Sequence, residues 1–75
     1  MINLSLEKNK LTISGNIDDK FFLDPMADVV FVSTLQFDKW ETEKKNFYSG
    51  TVTDDDLDYV LEELEDNNVK YKKNN

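Results

Sequence analysis

Residues 53–66 read TDDDLDYVLEELED, and this stretch decides the fold class because every local signal in it is helical. Thr53 is a good N-cap, Asp56 three residues on can complete a capping-box pair, and Val52 with Leu57 occupies the two positions of a hydrophobic staple. Asp54, Asp55 and Asp56 fill the first turn, where carboxylates meet the positive end of the helix dipole. Leu57, Val60, Leu61 and Leu64 recur at i, i+3, i+4 and i+7 and make one apolar stripe. The acids take the remaining arc, with Tyr59 among them, and Asn67-Asn68 ends the helix, which is therefore expected over 53–67.

Upstream, residues 1–48 read as mainly β. Ile2, Leu4 and Leu6 alternate with polar neighbours, and Leu11, Ile13 and Ile17 repeat the pattern after Glu7-Lys8-Asn9-Lys10, which predicts a hairpin. A bulge or bend is expected at Gly15-Asn16, and Asp18-Asp19-Lys20 closes the pattern. Phe21-Phe22-Leu23 is a short apolar anchor, and Asp24-Pro25 stops any helix there.

The run VVFVSTLQF, Val29 to Phe37, is rich in β-branched and aromatic residues and predicts a strand with Val29, Phe31, Leu35 and Phe37 on one face and Asp28 guarding its edge. KWETEKKNFY, residues 39–48, predicts a further strand with a loop at Glu43 to Asn46, followed by a turn at Ser49-Gly50. Past the helix, Val69 and Tyr71 alternate with Lys70 and Lys72 as a final strand or as part of a disordered Lys/Asn-rich tail, 70–75. The expected architecture is one α+β domain: a small antiparallel sheet of three to four strands packed by a single C-terminal acidic amphipathic helix. A two-fold dimer through the other sheet face or an edge strand would add stability that so short a chain lacks.

With neither Cys nor His, the chain has no disulfide, thiolate or ordinary zinc chemistry, and no Ser-His-Asp or Cys-His pair can form. Two isolated glycines cannot build a phosphate loop. No enzyme activity, metal or cofactor is expected. The longest apolar run, Val29 to Val32, falls far short of the roughly 20 residues a membrane span needs, and the N-terminus has no basic region before an apolar core, so a cytoplasmic location is expected.

Formal net charge is −7, but it is unevenly placed: Asp54 to Asp66 hold eight acids and no Lys, leaving +1 on the rest of the chain. Across a helix of that length this is one charge per roughly 2.5 Å, against about 1.7 Å along duplex DNA. Interspersed Lys would relieve the self-repulsion if the face served solubility alone, and none occurs between Lys45 and Lys70. Asp54, Asp56, Asp58, Glu62 and Glu65 also match the ligand spacing of a calcium loop, yet the sixth position, where a sharp turn needs Gly, is Tyr59. Lacking Arg and net acidic, the chain is a poor reader of nucleic acid and a poor ligand for anionic membranes.

In the acidic segment Asp54 to Asp66 the chain resembles the small acidic bacteriophage proteins that mimic DNA and take over host functions by blocking DNA-binding proteins. The resemblance covers one helix and its charge pattern. It implies a basic host partner, such as an HU-type nucleoid protein, an RNA polymerase subunit or a defence nuclease, met in the host cytoplasm. Asp54, Asp55, Asp58, Tyr59, Glu62, Glu63, Glu65 and Asp66 are the expected partner-binding residues. The competing expectation is a regulatory or structural adaptor that binds through an apolar sheet face or edge, with the acidic helix only solubilising.

Overall fold

The computed structural model describes residues 2–74, the side chains of Met26, Val29 and Ser33 excepted. It is α+β, and its sheet has five strands in mixed orientation, a correction to the three or four antiparallel strands expected. The strands are β1 (Ile2–Glu7), β2 (Lys10–Asn16), β3 (Asp38–Glu41), β4 (Lys45–Thr51) and β5 (Tyr71–Asn74), in the spatial order β3-β4-β2-β1-β5.

β1 and β2 form the hairpin that their alternation predicts, with Ile2, Leu4, Leu11 and Ile13 buried on one face. Pairing of β2 with β4 runs unbroken from Lys10↔Thr51 to Asn16↔Lys45, so the bulge expected at Gly15-Asn16 is absent. Gly15 instead permits a close approach: a Cβ there would lie 2.8 Å from the Phe22 ring and 2.9 Å from Ile2. Ile17 falls just past the strand and is exposed rather than continuing the buried alternation.

Between the two hairpins the chain is helical. Asp19 accepts from the Phe21 N–H at 3.1 Å and caps α1 (Lys20–Leu23). Asp24, extended at φ −83 and ψ 119 as a residue before proline must be, ends it. Of the expected anchor, Phe22 is buried and Phe21 packs against the core, while Leu23 is exposed. α2 (Pro25–Ala27) then leads into a π-helix, Asp28–Thr34.

That π-helix overturns the strand expected over Val29 to Phe37. The defining contact is Leu35 N–H to Val30 C=O at 3.1 Å, an i+5 bond. Strand propensity measures fit to a pleated, half-buried surface more than any backbone preference. Here the sheet is complete without this segment, and its apolar face needs a cover. Ala27 and Phe31, four residues apart, are buried against that face with Leu35 packed beside them, a helical spacing hidden inside an apolar run. The inward placement expected for Val29 lies outside the described residues. Gln36 turns the chain in the left-handed region, φ 55, and Phe37 returns to the core.

The turn expected at Ser49-Gly50 is likewise not formed, because both residues lie inside β4. Gly50 is there for space: the Phe37 ring occupies the position a Cβ would take. Asn46, expected in the loop, opens onto β4 and donates from Nδ2 to the Ile17 carbonyl at 3.1 Å.

From β4 the chain passes through α3 (Asp54–Asp66) to β5, which lies parallel to β1 at the far edge of the sheet. Parallel strands need such a crossover, and this one passes β2 and β1. Of the two readings of Val69 to Tyr71, a strand is what forms, with Ile2↔Tyr71 in register.

Tyr48 lies at the centre of the core, fully buried on the same face as its cross-strand partner Ile13. Its ring meets those of Phe22 at 5.1 Å, Phe31 at 5.7 Å and Phe21 at 5.9 Å. Its hydroxyl donates to Asp28 Oδ1 at 2.5 Å, and Lys39 Nζ reaches the same oxygen at 2.8 Å while lying 5.5 Å from the centre of the Tyr48 ring. Those two hydrogen bonds, Lys39 first, hold the Asp28 carboxyl below its ordinary range. Burial, then the bond to Asp28, pushes the Tyr48 phenol up.

Because the Asp28 pKa is depressed on folding, its contribution is fully present above the ordinary carboxylate value of about 3.9 and is lost as pH falls through the native value. Tyr48→Phe removes one donor and should cost about 1–2 kcal/mol at pH 7 in urea unfolding, with a smaller penalty once Asp28 is protonated. Gly50→Val drives a branched side chain into the Phe37 ring and should destabilise by about 1–3 kcal/mol in the same assay.

Candidate functional site

The acidic helix begins where its sequence signals put it. Thr53 is extended, φ −87 and ψ 174, and its Oγ1 accepts from the Asp56 N–H at 3.2 Å while Asp56 Oδ2 accepts from the Thr53 N–H at 3.1 Å. Asp56 is thereby committed to the cap. At the other end Asn67 Nδ2 donates to the Glu63 carbonyl at 2.8 Å, and Asn68 takes the left-handed conformation, φ 57, that commonly terminates helices. Val60 and Leu64 are buried in the same core cluster as Ile2, Leu4, Leu11 and Ile13, and Leu57 and Leu61 are packed against it.

Asp54, Asp55, Asp58, Glu62, Glu65 and Asp66 are exposed. At about 100° per residue these six fall within an arc of about 120°, a third of the helix circumference. Tyr59 sits beside the arc and is exposed, at 36%. Glu63 stands apart, half-buried beyond Tyr59 on the same flank, where it lines a cleft. Glu65 accepts from the Tyr71 hydroxyl at 3.0 Å, and this bond raises the Tyr71 pKa.

Among the described residues no α3 carboxylate is in an ion pair; the Lys39–Asp28 pair lies elsewhere in the fold. Pairs at i and i+4 such as Asp54–Asp58, Asp58–Glu62 and Glu62–Asp66 therefore repel without relief. The continuous helix leaves no loop on which the calcium-like spacing could act, since Asp56 projects to the opposite side of it from Asp54 and Asp58.

A second exposed surface lies on the sheet, where the competing expectation looks for an apolar face. Trp40 and its cross-strand partner Phe47 stack with ring centroids 5.0 Å apart and planes 5° from parallel. They share the sheet face opposite the core with Ser14, Thr12 and Ser49, and Trp40 remains 43% exposed. The adjacent aromatics Phe47 and Tyr48 were the available signal, but which of the two faced inward depended on the register of β4.

Comparison with protein-family models, with curated proteins and with solved structures finds no match to this chain. Among the described residues no helix is long and apolar enough to cross a membrane.

Uncompensated like charge makes a measurable statement about stability. Raising salt from about 0.01 M to about 1 M shortens the screening length from about 30 Å to about 3 Å, so Tm should rise with salt. Glu62→Gln relieves repulsion from Asp58, Glu65 and Asp66, and should raise Tm at low salt by about 2–5 °C while flattening the salt dependence; differential scanning calorimetry reads both.

Proposed function

We propose that this chain is a non-catalytic binding module that lays α3 against the DNA-binding surface of a basic protein and inhibits it by competing with DNA. The observation that carries this reading is the row of six exposed carboxylates, none in an ion pair among the described residues, confined to about a third of the helix circumference. We take Val60 and Leu64, with Leu57 and Leu61 at their sides, to seat α3 on the apolar face of the sheet, so that the acids point away from the body of the protein. Charges held on a rigid element at a density near that of a duplex would meet a groove built for phosphates. A two-fold dimer would present two rows. A phage-encoded inhibitor of this kind would meet its partner, an HU-type nucleoid protein or another basic DNA-binding protein, in the host cytoplasm.

The test is binding to a panel of purified basic DNA-binding proteins at about 50 mM and about 200 mM salt, with duplex DNA as competitor. Binding should be displaced by DNA and weaken steeply with salt. It should be lost when Glu62, Glu63 and Glu65 become Gln and Asp66 becomes Asn. Salt-insensitive binding, or full binding by that variant, would sink the idea.

One observation favours a second reading. The exposed Trp40–Phe47 stack lies on an uncovered polar sheet face, where an adaptor could dock a partner while α3 merely keeps the protein dispersed. On that reading Trp40→Ala abolishes binding and the charge-neutralised variant does not. Tyr48, buried beneath the opposite face, belongs to neither surface.

A further inference from the structure

A cleft of about 750 Å³ opens beside the C-terminal end of α3, between α1, the π-helix and the 67–70 connection. Phe21, Val30, Phe31 and Val69 are among its apolar lining residues. Phe21, Val30 and Val69 are only partly buried, so an entering group would cover them further. The volume lies within the range of sites that enclose a large side chain or a small ligand, and a lining that mixes apolar side chains with a few polar groups is typical of them.

The charged groups of the cleft are acidic on balance. Asp19, Asp24 and Glu63 line it against Lys20 and Lys70. Glu63 also joins the cleft to the acidic row, because it adjoins Glu62 in sequence and lies one helical turn, about 5 Å, from Asp66. A partner lying along the row would carry its next residues over this opening. Electrostatic attraction sets the encounter rate, whereas a buried apolar anchor lengthens the life of the complex and selects among basic surfaces.

We infer that this cleft is an anchor site that takes a large apolar side chain, of the size of Trp or Phe, from a basic segment of the protein partner whose Lys and Arg residues pair with α3. The inference rests on the proposed role of α3 and adds the chemistry that would make one basic partner preferred over another. The Trp40–Phe47 face, with Lys10, Lys45 and Lys72 set against Glu7 and Asp38, has no comparable charge preference for a basic segment.

The experiment uses the full chain and two synthetic peptides, a Lys/Arg-rich dodecapeptide with one central Trp and the same peptide with Ser in its place. Affinities are measured by calorimetry at low and moderate salt, and amide shifts are mapped by two-dimensional NMR on the unmodified protein. The Trp peptide should bind about tenfold or more tighter than the Ser peptide. It alone should shift the amides of Phe21, Val30, Phe31 and Val69, and Val69→Trp, which fills the cleft, should erase the difference while keeping the salt-dependent binding of the Ser peptide. Equal affinities with shifts confined to α3 would overturn the anchor site and leave the role of α3 standing. Failure of both peptides to bind would overturn the role of α3 and the anchor site together. Shifts centred on Trp40 and Phe47 would overturn both in favour of the sheet face.

Discussion

The buried hydroxyl of Tyr48 is the constraint on which the rest of the molecule depends. A tyrosine at the centre of a small core must bring its oxygen to a partner, and the partner here is Asp28, at the first residue of the π-helix. That bond ties the segment between the two hairpins to β4, the second strand of the later hairpin. Lys39, cross-strand from Tyr48, closes the group by holding Asp28 from the solvent side. With Asp28 so placed, Phe31 reaches the Tyr48 ring and the apolar face of the sheet gains its cover. An extended segment at 28–34 would leave that face open.

Once the cover is in place, the molecule has surfaces of distinct character. One sheet face belongs to the core, and the other carries hydroxyls, amides and the Trp40–Phe47 stack. α3 concentrates the acids, whereas the lysines are distributed over strands, turns and the last edge. Six like charges on one strip oppose helix formation, and they are outweighed by the capping box at Thr53 and the burial of Val60 and Leu64. Holding such a strip at a cost in stability is what would be expected of a surface kept for a partner.

The acidic helix was legible residue by residue because its determinants are local: an N-cap, a staple, a first turn of carboxylates and a 3.6-residue stripe all fall within Val52 to Leu64. The first hairpin was legible for the same reason, its alternation being a period-two pattern with one buried face. The segment from Asp28 to Phe37 was misread because an apolar run carries no periodicity, and β-branched residues fit a buried helix as well as a strand once other elements supply the neighbours. Gly50 was misread as a turn because space for the Phe37 ring, thirteen positions upstream, leaves no trace in the residues beside it. The position of β5 was beyond a local reading too, since a short Lys-rich strand becomes one only by lying against β1.

Two kinds of information therefore divide this protein. The order of residues alone settles which segment is the helix, where it starts and ends, which side of it is apolar, and that all of the net negative charge resides there, because each of those depends on contacts within a turn or two of chain. Tertiary structure decides the rest: the conversion of the most strand-like run into a π-helix, the mixed order of the sheet, which aromatic of β4 is buried, and the cleft where α1, the π-helix and the end of α3 meet. Those features depend on groups far apart in sequence competing for one apolar face and for one buried hydroxyl, and that competition is resolved only when the chain is closed on itself.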